Sequence, residues 1–132
     1  MRTRLKLAAC QEKQIAQGRE MKVDRIAVHQ KYGGHCAYCG AVITVKEMQV
    51  DHIWPQARSH WQKDLDPNRP ENLNPSCRAC NYAKHTYNIE LFRSEMQKQV
   101  LRLSSNYNFK MAMKYNQISV TEKPILFYYE RT

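Results

Sequence analysis

Two Cys-x-x-Cys pairs, Cys36/Cys39 and Cys77/Cys80, constrain this chain more than any other feature. Each pair presents two thiolates from one tight turn, which is half of a tetrahedral four-sulfur zinc site, and Gly40 suits the turn that closes the first. Zinc binding to such a site contributes about 10–16 kcal/mol and is coupled directly to folding. A chain of 132 residues with a modest apolar fraction of 42% gains more from a staple of this kind than from extra core area. Four of the five cysteines lie in the pairs, the pattern of a metal site in a reducing compartment rather than of a disulfide framework. Cys10 reads as an ordinary small side chain. His35, beside Cys36, is surplus because four sulfurs complete the shell. The interval from Cys39 to Cys77 is too long for a compact zinc ribbon, so the chain must build something between the two half-sites.

The formal net charge is +9, and its distribution says more than its sum. Residues 1–35 carry eight Lys/Arg against three acids, residues 36–85 six against five, and residues 86–132 seven against four. Basic flanks around a nearly neutral centre favour a polyanion held at its edges. The start, Arg2 to Cys10, superficially resembles a leader ending in a lipid-attachment cysteine. Lys6, however, interrupts the apolar stretch of about 7–15 residues that a leader needs. No apolar run reaches the roughly 20 residues required to span a bilayer. The expectation is a soluble, cytoplasmic protein with no membrane partner.

Along the chain, residues 1–31 read as a basic helical extension, with Val23, Ile26 and Ala27 as an apolar stripe that Tyr32-Gly33-Gly34 terminates. Val42–Val45 and Met48–Val50 read as short strands, the second running into Asp51-His52. A polar, proline-bearing loop at 56–71 leads to Asn72-Leu73-Asn74-Pro75 and the second cysteine pair, from which a helix should start near Ala79–Asn81. Ile89, Phe92, Met96, Val100 and Leu103 recur at spacings of three and four, marking a long amphipathic helix whose stripe suits core packing better than a dimer face. A second helical stretch is expected at Phe109–Tyr115 and a closing strand at Ile125–Tyr129. The organisation expected is one domain over 1–132: an extension at 1–31, a zinc-stapled core at 32–88, and a helical extension at 89–132 ending in a strand.

The insert carries a spaced constellation: Val50-Asp51-His52-Ile53-x-Pro55, then Asn72-Leu73, then Cys77-x-x-Cys80-Asn81-x-x-Lys84. In this order the elements resemble the HNH (ββα-metal) endonucleases, specifically the subgroup with a four-cysteine zinc site. Thr86-x-x-x-Glu90-x-Phe92-Arg93 extends the likeness to standalone phage and prophage proteins. The resemblance covers roughly residues 30–95. It implies an α+β fold, a small ββα-metal core with flanking helices and a short C-terminal strand. It implies a DNA phosphodiester hydrolase that leaves 3′-hydroxyl and 5′-phosphate ends; the oligomeric state stays open between monomer and weak dimer, and the cytoplasm expected above is that of a bacterial host if phage-encoded.

The resemblance assigns roles by position. His52 matches the general base. Asp51 matches the acidic ligand of a catalytic divalent cation, Mg²⁺ or Mn²⁺, and Asn81 the final ligand position. Asn72 matches the middle Asn that ties the loop so that His52 is aimed. His85, one turn beyond Asn81, matches a further ligand in some members, and Arg78 and Lys84 are candidates for phosphate contact. Phosphodiester hydrolysis needs an activated water and a cation to offset developing charge, and a carboxylate with an amide oxygen suits a hard divalent ion. Strict β alternation would send Asp51 and His52 to opposite faces, so a shared site requires a strand end or bulge near Ile53-Trp54-Pro55. The chain departs from the family after Pro55: many relatives carry Gly-Gly where this one has Ser59-His60-Trp61-Gln62-Lys63, and the span from His52 to Asn72 is longer. Two rival functions remain: a non-catalytic zinc module that binds nucleic acid, and an RNA-cleaving toxin on the same fold.

Overall fold

In the computed structural model, which describes residues 22–55 and 65–131, strand β1 (Gln49–His52) pairs antiparallel with β2 (Leu73–Ser76). The register sets Gln49 opposite Ser76 and His52 opposite Leu73. Every residue of β2 is buried, Pro75 included. A proline is tolerated here because a two-stranded sheet has only edges, and its missing N–H breaks no second ladder. The proline is also why periodicity alone does not mark 73–76 as a strand. Cys77 caps the helix that follows, its sulfur accepting from the Cys80 N–H at 3.4 Å. That helix, Arg78–Lys84, packs against β1 and completes a ββα unit.

Short helix α1 (Arg25–Gln30) precedes the unit, with Asp24 accepting from the Ala27 N–H at 3.1 Å. The helix of the ββα unit is α2. After it come α3 (Ile89–Gln97), α4 (Gln99–Leu103) and α5 (Tyr107–Lys114). Asn88 caps α3 through the Leu91 N–H, and Asn106 caps α5 through the Phe109 N–H. Lys31 ties α1 to the sheet: its ammonium donates to the Leu73 carbonyl at 2.7 Å and to Asn74 Oδ1 at 3.2 Å. Val28, Cys36, Tyr38, Ile43, Met48, Leu73, Phe92 and Phe127 form the core. Tyr38 sits at its centre, edge-on to Phe92 and Phe127 with 5.3 Å between ring centroids in both cases.

Several expectations are corrected. Val42–Val45 is not a strand: Val42 makes one isolated bridge to His35. Glu47 then accepts from the Thr44 N–H and hydroxyl at 3.2 and 3.0 Å, turning the chain. Nor is Ile125–Tyr129 a strand. The Arg93 guanidinium donates to the Ile125 carbonyl at 2.8 Å and to the Glu130 carboxylate. Glu130 in turn accepts the Phe127 N–H at 2.8 Å, curling 128–130 into a 3₁₀ turn. This segment instead lies on the first cysteine turn, where the Tyr128 and Tyr129 N–H groups each donate over 3.0 Å, to the carbonyls of Tyr38 and Ala37. The long amphipathic helix divides at Lys98. Phe92 is 1% exposed, whereas Val100 and Leu103, on the far side of the break, are 43% and 48% exposed. The stripe therefore serves the core only through its first half. Of the expected helix at 1–31, α1 accounts for the end; residues 1–21, with Cys10, lie outside the described residues, as do 56–64 with His60 and Trp61. No helix among the described residues is long and apolar enough to cross a membrane.

Candidate active site and metal centre

The two cysteine turns meet. The sulfurs of Cys36, Cys39, Cys77 and Cys80 all lie within 4.8 Å of one another, and Cys39 and Cys77 are 3.8 Å apart. A tetrahedral zinc with bonds of about 2.3 Å sets its sulfurs about 3.8 Å apart, so the four residues fit the ion. The first turn is closed by the Gly40 N–H on the Cys36 carbonyl at 3.0 Å and by the Cys36 N–H on the Ala41 carbonyl at 2.8 Å. The Ala37 N–H donates to the Pro75 carbonyl at 2.8 Å, fastening this turn to β2. Gly40 has φ +81°, and a β-carbon there would come within 2.7 Å of the Tyr128 ring, so two constraints demand glycine. Thiols this close cannot all ionise unaided. A hydrogen bond from Cys80 holds the Cys36 thiol down at about 4, while the same contact drives the Cys80 thiol far up. Burial raises Cys39 as well. A divalent cation removes that conflict by stabilising all the thiolates together.

Asp51 and His52 sit side by side on β1 but serve different faces, as alternation dictates. There is no bulge: the register runs regularly through His52, and the Ile53 N–H continues it to the Asn72 carbonyl at 2.8 Å. The Asp51 carboxylate turns inward and is 5% exposed. Its Oδ2 accepts from the Tyr38 hydroxyl, and its Oδ1 accepts from the Lys84 ammonium at 3.1 Å. Burial works against both charges. It pushes the Asp51 carboxyl above the usual range despite the opposing pull of Lys84, and it lowers the Lys84 ammonium despite Asp51. The Tyr38 hydroxyl is pushed far up, first by burial and then by the Asp51 charge, and so remains a donor.

The half-buried His52 faces the loop before β2, with Nε2 2.8 Å from Asn68 Oδ1. An amide oxygen only accepts, so in this arrangement Nε2 is the donor to Asn68. Asn72, 2% exposed, braces the same loop: Oδ1 accepts the Trp54 N–H at 2.8 Å, and Nδ2 donates to the carbonyls of Trp54 and Pro67 at 3.2 and 2.8 Å. The chain entering the loop from His52 is thereby held against the chain returning to β2.

The helix-borne candidates divide. Asn81 lies half-buried in the middle of α2, and Arg78 is exposed at its first turn. Lys84 is 0% exposed: its stem carries the ammonium across to Asp51 and, at 2.8 Å, to the His52 carbonyl. His85 follows at the end of the helix. It ends α2 with φ +50°, its N–H still closing the last helical turn on the Asn81 carbonyl at 3.1 Å, and it is exposed beside Tyr87. Among the described residues, the four cysteines are the only His/Cys/Asp/Glu grouping of three or more with metal-binding spacing. Sequence reading missed Tyr38 and Asn68. A tyrosine inside a Cys-x-x-Cys turn that must be buried needs a partner for its hydroxyl, and that was the available signal for Tyr38. Nothing local marks Asn68.

The model of the HNH endonuclease family matches residues 36–87. The chain is 37% identical over 76 residues to the CRISPR-associated endonuclease Cas9 of Corynebacterium diphtheriae, a match covering 56% of this chain and 6% of that protein. It is also similar to the crystal structure of the Type II-C Cas9 enzyme from Actinomyces naeslundii, with a TM-score of 0.44 and 23% identity over 86% of this chain and 13% of the other. The chain thus spans a small fraction of both relatives. The family match begins at the first cysteine of the staple and ends just past α2, and it encloses the ββα unit with Asp51, His52, Asn72 and Asn81. Residues 36–87 of this chain thus form a segment that matches the HNH endonuclease family model.

Proposed function

We propose that the chain is a metal-dependent DNA endonuclease in which His52 is the general base and Asp51 with Asn81 holds a catalytic Mg²⁺ or Mn²⁺, while zinc on the four cysteines is structural. The observation that carries this reading is the half-exposed imidazole at the last residue of β1, held by Asn68, with the Asp51 carboxylate on the other face of the strand against the helix that bears Asn81. The donor set fits a hard cation: a carboxylate offers about four lone-pair positions, of which two are engaged, and an amide adds a neutral oxygen. When bound, such an ion offsets charge on the phosphate and the departing oxygen.

The protein's own groups supply the rest. Asn68 holds His52 Nε2, leaving Nδ1 to take a proton from an attacking water. Asn72 keeps the chain after His52 in place. Tyr38 fixes the carboxylate of Asp51 and links it to the cysteine turn, so zinc binding and the alignment of Asp51 are mechanically connected. Exposed Arg78 and the basic flanks supply contacts to the DNA backbone. A plasmid-relaxation assay with Mg²⁺, Mn²⁺ or EDTA tests the reading. Wild type should convert supercoiled plasmid only with a divalent ion, and His52→Ala should lose 10²-fold or more, on the order expected for a general base. Uncut plasmid under every ion would end the DNA-nuclease reading. A parallel incubation with RNA separates a toxin-type nuclease. One observation favours a non-catalytic zinc module: Asp51 already carries a counter-charge in Lys84. Nucleic-acid binding that survives His52→Ala, with no cutting by wild type, is the result that module predicts.

A further inference from the structure

The Asp51 carboxylate is almost wholly enclosed and already compensated. Lys84 has no exposed surface, and its ammonium spans Asp51 Oδ1 at 3.1 Å and the His52 carbonyl at 2.8 Å. Tyr38 holds the other carboxylate oxygen. Among the described residues no buried side-chain N or O lacks a partner. Burying an isolated carboxylate is costly, so an ionised Asp51 needs a cation beside it, and Lys84 supplies one here. Lys84 lies three residues after Asn81 on α2, a spacing that places the two on one side of the helix. The ammonium therefore stands on the side from which Asn81 contributes.

We propose that Lys84 is an exchangeable internal counter-cation: it neutralises Asp51 in the metal-free protein and is displaced from Oδ1 when a divalent cation binds, so that Lys84 sets the affinity of the site. The inference rests on the reading of Asp51 as a metal ligand. An ammonium and a divalent ion sharing one carboxylate oxygen repel strongly in a partly dry site, so the two occupancies exclude each other. Lysine suits exchange because its charge is a point on a flexible stem. Lys84 is also the last residue of α2, adjoining the backbone reversal at His85, where φ is +50°. Tyr38 is neutral and need not move, so the carboxylate keeps its orientation through the exchange. The structural role and the metal role of Asp51 thereby alternate between two cations.

The test is Mn²⁺ binding followed by electron paramagnetic resonance on zinc-loaded full chain at pH 8. Lys84→Met should bind Mn²⁺ about tenfold or more tightly than wild type, and Asp51→Asn should lose the site. Folded Lys84→Met with unchanged or weaker affinity overturns the counter-cation role while leaving Asp51 as a ligand. Unchanged binding in Asp51→Asn overturns the ligand assignment itself, which separates the two failures. Should Lys84→Met not fold, ¹⁵N-lysine NMR of wild type decides: the Lys84 ammonium signal must shift as Mg²⁺ saturates the site, and a signal that stays fixed refutes the exchange.

Discussion

The Lys84 ammonium and the Asp51 carboxylate form an ion pair at 3.1 Å with side chains 0% and 5% exposed, joining the end of α2 to β1. A pair this deep behaves as one unit. Removing either partner leaves a buried charge without compensation, whereas removing both removes the conflict.

Lys84→Met and Asp51→Asn should therefore each destabilise the fold by about 3–5 kcal/mol, and the double variant by clearly less than their sum. Urea unfolding of the four proteins measures the coupling. Additive costs would show that the two charges do not act as a pair.

Tyr38→Phe keeps the ring that packs on Phe92 and Phe127 but removes the donor to Asp51. A hydrogen bond to a charged group contributes about 1.5–3 kcal/mol, so stability should fall by roughly that amount while the spectroscopic signature of zinc or cobalt at the cysteines stays unchanged. A loss below about 0.5 kcal/mol would mean that the hydroxyl does not hold the carboxylate.

Stripping zinc should abolish cooperative unfolding, because the ion's contribution of about 10–16 kcal/mol is comparable with or larger than the whole stability of a small domain. Gly40→Ala should weaken zinc retention against a chelator dye without altering any ligand. It forces a β-carbon to within 2.7 Å of Tyr128 at φ +81°. Retention equal to wild type would show that this turn yields easily.

The C-terminal segment is held by Arg93 and Glu130. The Arg93 hydrogen bond keeps the Glu130 carboxyl below its ordinary value of 4.5. A carboxyl depressed in the folded state contributes stability that is complete above the unfolded value and lost as pH falls through the folded one. Protease cleavage within 120–127 should therefore accelerate as pH drops below about 4.5. Glu130→Gln should raise cleavage at neutral pH and flatten the profile. A variant with the wild-type profile would move the origin of the effect elsewhere.

Much of this molecule is local enough to be read from residues alone. The cysteine turns, the helix beginning beside Cys77, Phe92 as a core residue and the helix around 109–115 all follow from spacing and pattern within a few residues. What local reading misplaces has long-range causes. β2 contains a proline and gains its strand character only from pairing with β1. The expected strand at 125–129 is curled by Arg93, more than thirty residues away in the chain. The stripe through Leu103 looks uniform in sequence, yet only the part before Lys98 meets the core.

Two cysteine pairs of metal-site spacing, with an Asp-His pair between them, are legible in the residues alone, because thiol spacing and residue type are local properties. What that pair faces is set by tertiary packing. Asp51 is buried because α2 and the first cysteine turn close over one side of β1, bringing Lys84 and Tyr38 onto its carboxylate, while His52, on the other side, meets Asn68. Which face of a strand is covered depends on packing between distant segments, and no periodicity within β1 encodes it.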